Sequence, residues 1–98
     1  MKTEKIISHA EIAVIPEVMQ EVLLQAKATK EKILLEEGCE TFILTTKKDC
    51  ENTLIIFAVY TSQQTYEWHL EQDYVKNFFG FLDGKLKTAP VVTYLKEI

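Results

Sequence analysis

A single α+β domain is what this sequence predicts, with one four-stranded antiparallel sheet and helices packed on one of its faces. Three observations lead there. Strand-like runs rich in β-branched and apolar residues occupy 6–15, 39–47, 53–60 and 91–98. Spacings of three and four govern the apolar residues of 16–37 and 63–83. The segments alternate in the order βαββαβ, with the second helix broken, and that order is the ferredoxin-like arrangement. Ninety-eight residues, 47% of them hydrophobic and 27% charged, suit one soluble domain spanning 1–98.

Each element has a local reason. In "IISHAEIAVI", Ile6, Ser8, Ala10, Ile12 and Val14 share one face of strand 1, and Ile7, His9, Glu11, Ala13 and Ile15 share the other. Pro16 suits a first helical position, and Glu17 suits the positive end of the helix. Along helix 1, residues 16–37, Met19, Val22, Ala26, Thr29 and Ile33 form an inward stripe, and Gly38 stops the helix. "CETFILTTK" (39–47) and "TLIIFAVY" (53–60) are strands 2 and 3, joined as a hairpin by the polar turn "KDCEN". Ser62 is the expected N-cap of helix 2, residues 63–72. Asp73 is the expected cap of a further segment, 74–83, which ends at Gly84; Pro90 then leads into strand 4, "VVTYLKEI".

Helices on one side leave the other sheet face uncovered. That face would carry Ile7, Ala13, Ile15 and half of strands 2 to 4, too apolar to meet water. Two such sheets stacked in a symmetric homodimer would bury it.

Charge and composition exclude several functions. The formal net charge is −4, and all eleven basic residues are lysines. Without arginine there is no bidentate phosphate or guanine anchor, so nucleic acid is not an expected partner. Cys39 and Cys50 lie in no CxxC or paired-histidine pattern, so free thiols and no metal site are expected. No apolar run approaches the roughly 20 residues of a membrane helix, so no membrane association is expected. The N-terminal stretch is broken by Ser8, His9 and Glu11, unlike a signal peptide, and a cytoplasmic location is the expectation.

Chemistry concentrates in "TYEWHLEQDYVKNFFGFL", residues 65–82. Tyr66, His69, Leu70 and Asp73 fall on one side of helix 2, and Trp68 points nearly opposite. Tyr74, Phe78 and Phe81 form the stripe of the next segment. With Ser8 and Ala10 as a small-residue floor, these aromatics either wall a pocket for a flat ligand or simply fill the space. An imidazole is the side chain suited to proton transfer near neutrality, which makes His69 the candidate base; a half-exposed, hydrogen-bonded helix residue is the alternative. His9 is expected to be structural, and Glu36, Glu37 and Glu40 to be solvated.

"EEGCETFIL" at 36–44 and "VYTSQQTYEWHLEQDYVKNFF" at 59–79 resemble the antibiotic biosynthesis monooxygenase family, with Glu37, Gly38, Cys39, Phe42, Tyr60, Ser62, His69 and Phe78 as matching positions. The resemblance runs over roughly residues 6 to 97. It implies a dimeric α+β barrel and, in several members, O₂-dependent oxidation of small aromatics or quinols with no metal, flavin or other cofactor. It also implies isomerisation of a small phosphorylated sugar-like signal in other members. The haem-degrading branch carries an asparagine and a histidine where this chain has Ala10 and Phe79, which disfavours haem. The family's glutamate near the end of strand 3 is replaced within Ala58-Val59-Tyr60.

The function expected is a cofactor-independent monooxygenase on a small aromatic or quinol substrate. His69 would be the catalytic base, with Tyr66, Tyr74, Phe78, Ser8 and Tyr60 around the substrate. The alternatives are a small-molecule isomerase, with Lys76 or Lys85 as point charges, and a non-catalytic ligand-binding dimer.

Overall fold

A computed structural model describes residues 4–98. The observed order is β1 (Ile6–Ala13), a 3₁₀ turn (Pro16–Val18), α1 (Met19–Ile33), β2 (Cys39–Lys47), β3 (Cys50–Tyr60), α2 (Gln63–Leu70), α3 (Asp73–Phe81) and β4 (Val91–Leu95). The four strands form one antiparallel sheet in the order β2-β3-β1-β4. The ferredoxin-like arrangement predicted from the sequence is the fold observed.

Register assigns the two faces. Ile6, Ser8, Ala10 and Ile12 pair with Tyr60, Ala58, Ile56 and Leu54, so these side chains point to the helices. Ile12, Val14, Val22 and Leu54 are fully buried there, packed with Met19, Ala26, Phe78 and Leu82. A second cluster, Ile33, Phe42, Ala58, Tyr60 and Val75, lies nearer the α2 end. The inward stripe of α1 is the expected one, with Thr29 half-buried at its edge.

The boundaries differ in ways that matter. Helix α1 ends at Ile33, four residues earlier than its apolar pattern predicts. Leu35 N–H donates to Lys32 and Glu36 N–H to Ile33, so the chain tightens into three-residue turns and leaves the helix. The β2–β3 hairpin is longer than expected because its turn is only Lys48-Asp49, with Asp49 at φ 69°. Asp and Asn tolerate that left-handed conformation better than most residues. Ser62 is the N-cap of α2, as expected, but Gln72 rather than Asp73 caps α3.

The open face of the sheet carries Ile7, Ile43, Ile55, Phe57, Val59 and Leu95, all of them opposite the helix side in register. None of these six is buried. Strand β4 contacts the sheet through β1, and all five of its residues are exposed. No helix among the described residues is long and apolar enough to cross a membrane.

Leu54 fills the centre of the first cluster with no exposure. Leu54→Ala is therefore expected to lower unfolding stability by about 2–5 kcal/mol, read as a lower urea midpoint with an unchanged slope. A loss below about 1 kcal/mol would contradict this account of the core.

Candidate functional site

The early end of α1 positions the site. Once the helix unwinds after Ile33, the turn carries Glu36 beneath α2 and α3, where it is only 7% exposed. The expectation that Glu36 is solvated is therefore corrected. Gly38 allows the turn to pass under α2: a Cβ there would collide with the side chain of Thr65, and Thr61 N–H donates to the Gly38 carbonyl at 2.8 Å. Helix α2 starts at the same place. Thr65 N–H donates to Ser62 Oγ at 3.1 Å and Ser62 N–H to Thr65 Oγ1 at 3.0 Å, a reciprocal cap that fixes the helix entry.

His69, seven residues after Ser62, points inward and is 5% exposed. Its Nδ1 lies 3.0 Å from both Glu36 carboxylate oxygens. Tyr74 O–H donates to Glu36 Oε2 at 2.6 Å. Because a carboxylate only accepts, Nδ1 carries the proton on that side, and Nε2 is left to accept the Tyr60 O–H at 3.0 Å. Three elements thus converge on one carboxylate: α2 through His69, α3 through Tyr74 and, one bond further on, β3 through Tyr60. Among the described residues no buried side-chain polar atom lacks a partner.

Aromatic rings surround this chain. Tyr60 lies 4.6 Å from His69 and 5.1 Å from Tyr66, ring centre to ring centre. Tyr66 stacks over His69 at 6.2 Å and 17°. Burial, reinforced by neighbouring negative groups, raises the pKa of Tyr60, and burial with the Glu36 carboxylate raises that of Tyr74. Both phenols stay neutral and act as donors. Cys39 borders the same cluster; burial first, and Glu36 second, push its thiol up to about 11.

Of the residues expected at the site, His69, Tyr60, Tyr66 and Tyr74 are brought together. Phe78 instead packs in the first core cluster, against the sheet and α1. Ser8 sits on the helix side of β1 between Ala58 and Tyr94. A cleft of about 800 Å³ opens where β1, β4 and α2 meet, lined in part by Ile6, Gln63, Tyr66, Tyr94 and Lys96. Tyr66 belongs to both the cleft and the buried cluster. A second, shallower cleft near Phe79 and Pro90 touches none of these residues. The described residues contain no group of three or more His, Cys, Asp or Glu arranged to hold a metal ion.

Two site residues escaped the sequence reading. Glu36 did leave a signal, because it falls three residues after Ile33 on the continuation of the buried stripe. Tyr94 left none beyond its alternation with Val92 on strand 4.

The fold and the buried carboxylate–imidazole–phenol chain define a ferredoxin-like α+β domain with one enclosed polar centre beside an aromatic-lined cleft. Residues 5–80 match the family model for antibiotic biosynthesis monooxygenase, and the chain belongs to that family. Solved structures agree in fold. A conserved protein from Methanosarcina mazei Go1 is 22% identical with a TM-score of 0.92, the match covering 98% of this chain and 95% of that one. A candidate antibiotic biosynthesis monooxygenase from Caulobacter crescentus CB15 is 25% identical with a TM-score of 0.91, over 98% and 92%. Rv0793 from Mycobacterium tuberculosis is 19% identical with a TM-score of 0.90, over 96% and 95%. No curated protein matches the sequence.

The thiols differ in environment, Cys39 half-buried and Cys50 exposed. Thiolate is the reactive form, so moving Cys39 from 9.0 to about 11 lowers its thiolate fraction on the order of 100-fold at pH 8. Alkylation at pH 8 is expected to show one fast thiol per chain, removed by Cys50→Ser. Two equally fast thiols would contradict the burial of Cys39. The folded state holds the Cys39 proton more tightly than the unfolded chain does. Its contribution to stability is therefore complete below the ordinary value of 9.0 and is lost as pH rises through about 11.

Proposed function

We propose that this chain is a cofactor-independent monooxygenase acting on a small phenol or hydroquinone, with His69 as the proton acceptor. One observation carries the reading: the buried chain Glu36–His69–Tyr60, whose two hydrogen-bond links are both 3.0 Å. The carboxylate fixes the imidazole tautomer and stabilises the imidazolium that forms when Nε2 accepts a proton. Tyr60 passes its own proton to Nε2 as it receives one from the substrate. The resulting substrate anion is electron-rich and serves as the reductant of O₂. For a hydroquinone the balance closes as hydroquinone plus O₂ giving hydroxyquinone plus water: one oxygen atom enters the ring, and the other leaves as water with the two protons released. Tyr66 and Tyr74 position the ring, and Ser8 bounds the space beside them, while Phe78 serves the core.

The homodimer belongs to the same proposal. The uncovered face with Ile7, Ile43, Ile55, Phe57, Val59 and Leu95 supports it, since a second copy would remove these side chains from water. A cytoplasmic location fits two unpaired thiols.

A non-catalytic ligand-binding dimer is the second reading. It is favoured by the low exposure of His69 and by the partners that occupy both of its ring nitrogens. The isomerase alternative gains no such support.

Oxygen uptake with a panel of hydroquinones separates these readings. Turnover is expected with wild type, and a fall of about 10²–10⁴-fold with His69→Asn at an unchanged fold. Equal turnover in the variant would remove His69 from the chemistry, and no uptake with any hydroquinone would leave the ligand-binding reading. Sedimentation at micromolar concentration is expected to show twice the 11.3 kDa chain mass. A single-chain particle would discard the dimer.

A further inference from the structure

Two phenols meet at the cleft. The Tyr66 and Tyr94 hydroxyls are 2.7 Å apart, and their rings stand edge to face with centres 5.9 Å apart. Their supports differ. The Tyr66 ring lies against both Tyr60 and His69. Tyr94 rides on the edge strand β4, opposite Ser8, and is 60% exposed.

Bonding to each other occupies only one of the two O–H groups, so one donor and several lone pairs face the cleft unused. Burial, then the bond to Tyr94, raises the pKa of Tyr66, so that its hydroxyl keeps its proton. The remaining charge in the cleft is mixed, with Lys5 and Lys96 beside Glu4 and Glu97, and Lys5 already pairs with Glu40 at 2.8 Å. No single-sign field selects a strongly charged ligand. The volume of about 800 Å³ lies within the roughly 300–1,000 Å³ usual for small-molecule sites.

We propose that the Tyr66–Tyr94 hydroxyl pair is the ligand-recognition element of this protein, and that it takes a planar aromatic molecule through an oxygen on its ring. The ring lies against the two tyrosines, and its oxygen accepts the unused O–H. Tyr94 is then a specificity-determining residue contributed by an exposed edge strand. This inference rests on the substrate class proposed above, but it concerns binding and not the reaction.

Equilibrium dialysis tests it with 1-naphthol and with naphthalene, which has the same shape and no oxygen. Wild type is expected to bind 1-naphthol at least about tenfold more tightly. The double variant Tyr66→Phe/Tyr94→Phe keeps both rings and removes both hydroxyls, whereas either single variant still leaves one O–H free. It is expected to weaken 1-naphthol about fivefold, the worth of one ordinary hydrogen bond, and to leave naphthalene within about twofold. Thermal unfolding of the double variant serves as the fold control. Absence of 1-naphthol binding, absence of discrimination by wild type, or unchanged affinity in the double variant would overturn the proposal. If no hydroquinone is turned over while hydroxyl-dependent 1-naphthol binding holds, the oxidation falls and the recognition pair stands. If hydroquinones are turned over while the double variant binds like wild type, the reverse is true.

Discussion

Taking a carboxylate out of water at Glu36 imposes a requirement that three elements meet together. A buried carboxylate without donors is unfavourable by several kcal/mol, so its lone pairs have to be filled by the protein. His69 Nδ1 and the Tyr74 hydroxyl fill them, from α2 and α3 respectively. The imidazole in turn anchors the Tyr60 hydroxyl at the end of β3. The break between α2 and α3 is therefore spanned by one anion. Removing Glu36 would leave an imidazole N–H and a phenol without their acceptor, whereas removing Tyr74 alone would leave the imidazole pair intact. The site is a unit whose members are not interchangeable.

That unit also explains the local backbone. Gly38 has to lack a side chain because Thr65, part of the reciprocal cap of α2, occupies the space above it. The cap fixes where α2 begins, and the distance from Ser62 to His69 then sets which way the imidazole points. The turn after Ile33 sets where the carboxylate arrives. Cap, glycine and turn are thus three separate devices serving the 3.0 Å contact between His69 and Glu36. A polar centre of this kind is demanding to build and leaves little slack, which suits a site whose geometry has to be held.

Around it the protein divides into a closed side and an open side. Core clusters fill the space between helices and sheet, and Phe78 takes part in that filling rather than bounding a cavity. The accessible volume lies instead at the sheet edge, between β4 and the first turn of α2. Tyr66 is the only one of the expected site residues that touches both regions. A ligand in the cleft therefore meets the buried cluster first at the Tyr66 ring, which lies against Tyr60 and His69.

Local pattern was enough to determine the strands, the inward stripe of α1, the Ser62 cap and the inward side of α2 with His69, because each follows from the period of a single segment. The family resemblance, too, was readable from short runs such as "EEGCETFIL". Tertiary structure decided the rest. Glu36 looked like one of several surface carboxylates because its donors stand 33 and 38 residues further along the chain. Tyr94 looked like an ordinary strand residue because its partner lies 28 residues away on another element. Periodicity reports which side of an element faces inward; it carries no information on which distant side chain waits there, and both the charge pairing and the cleft depend on that.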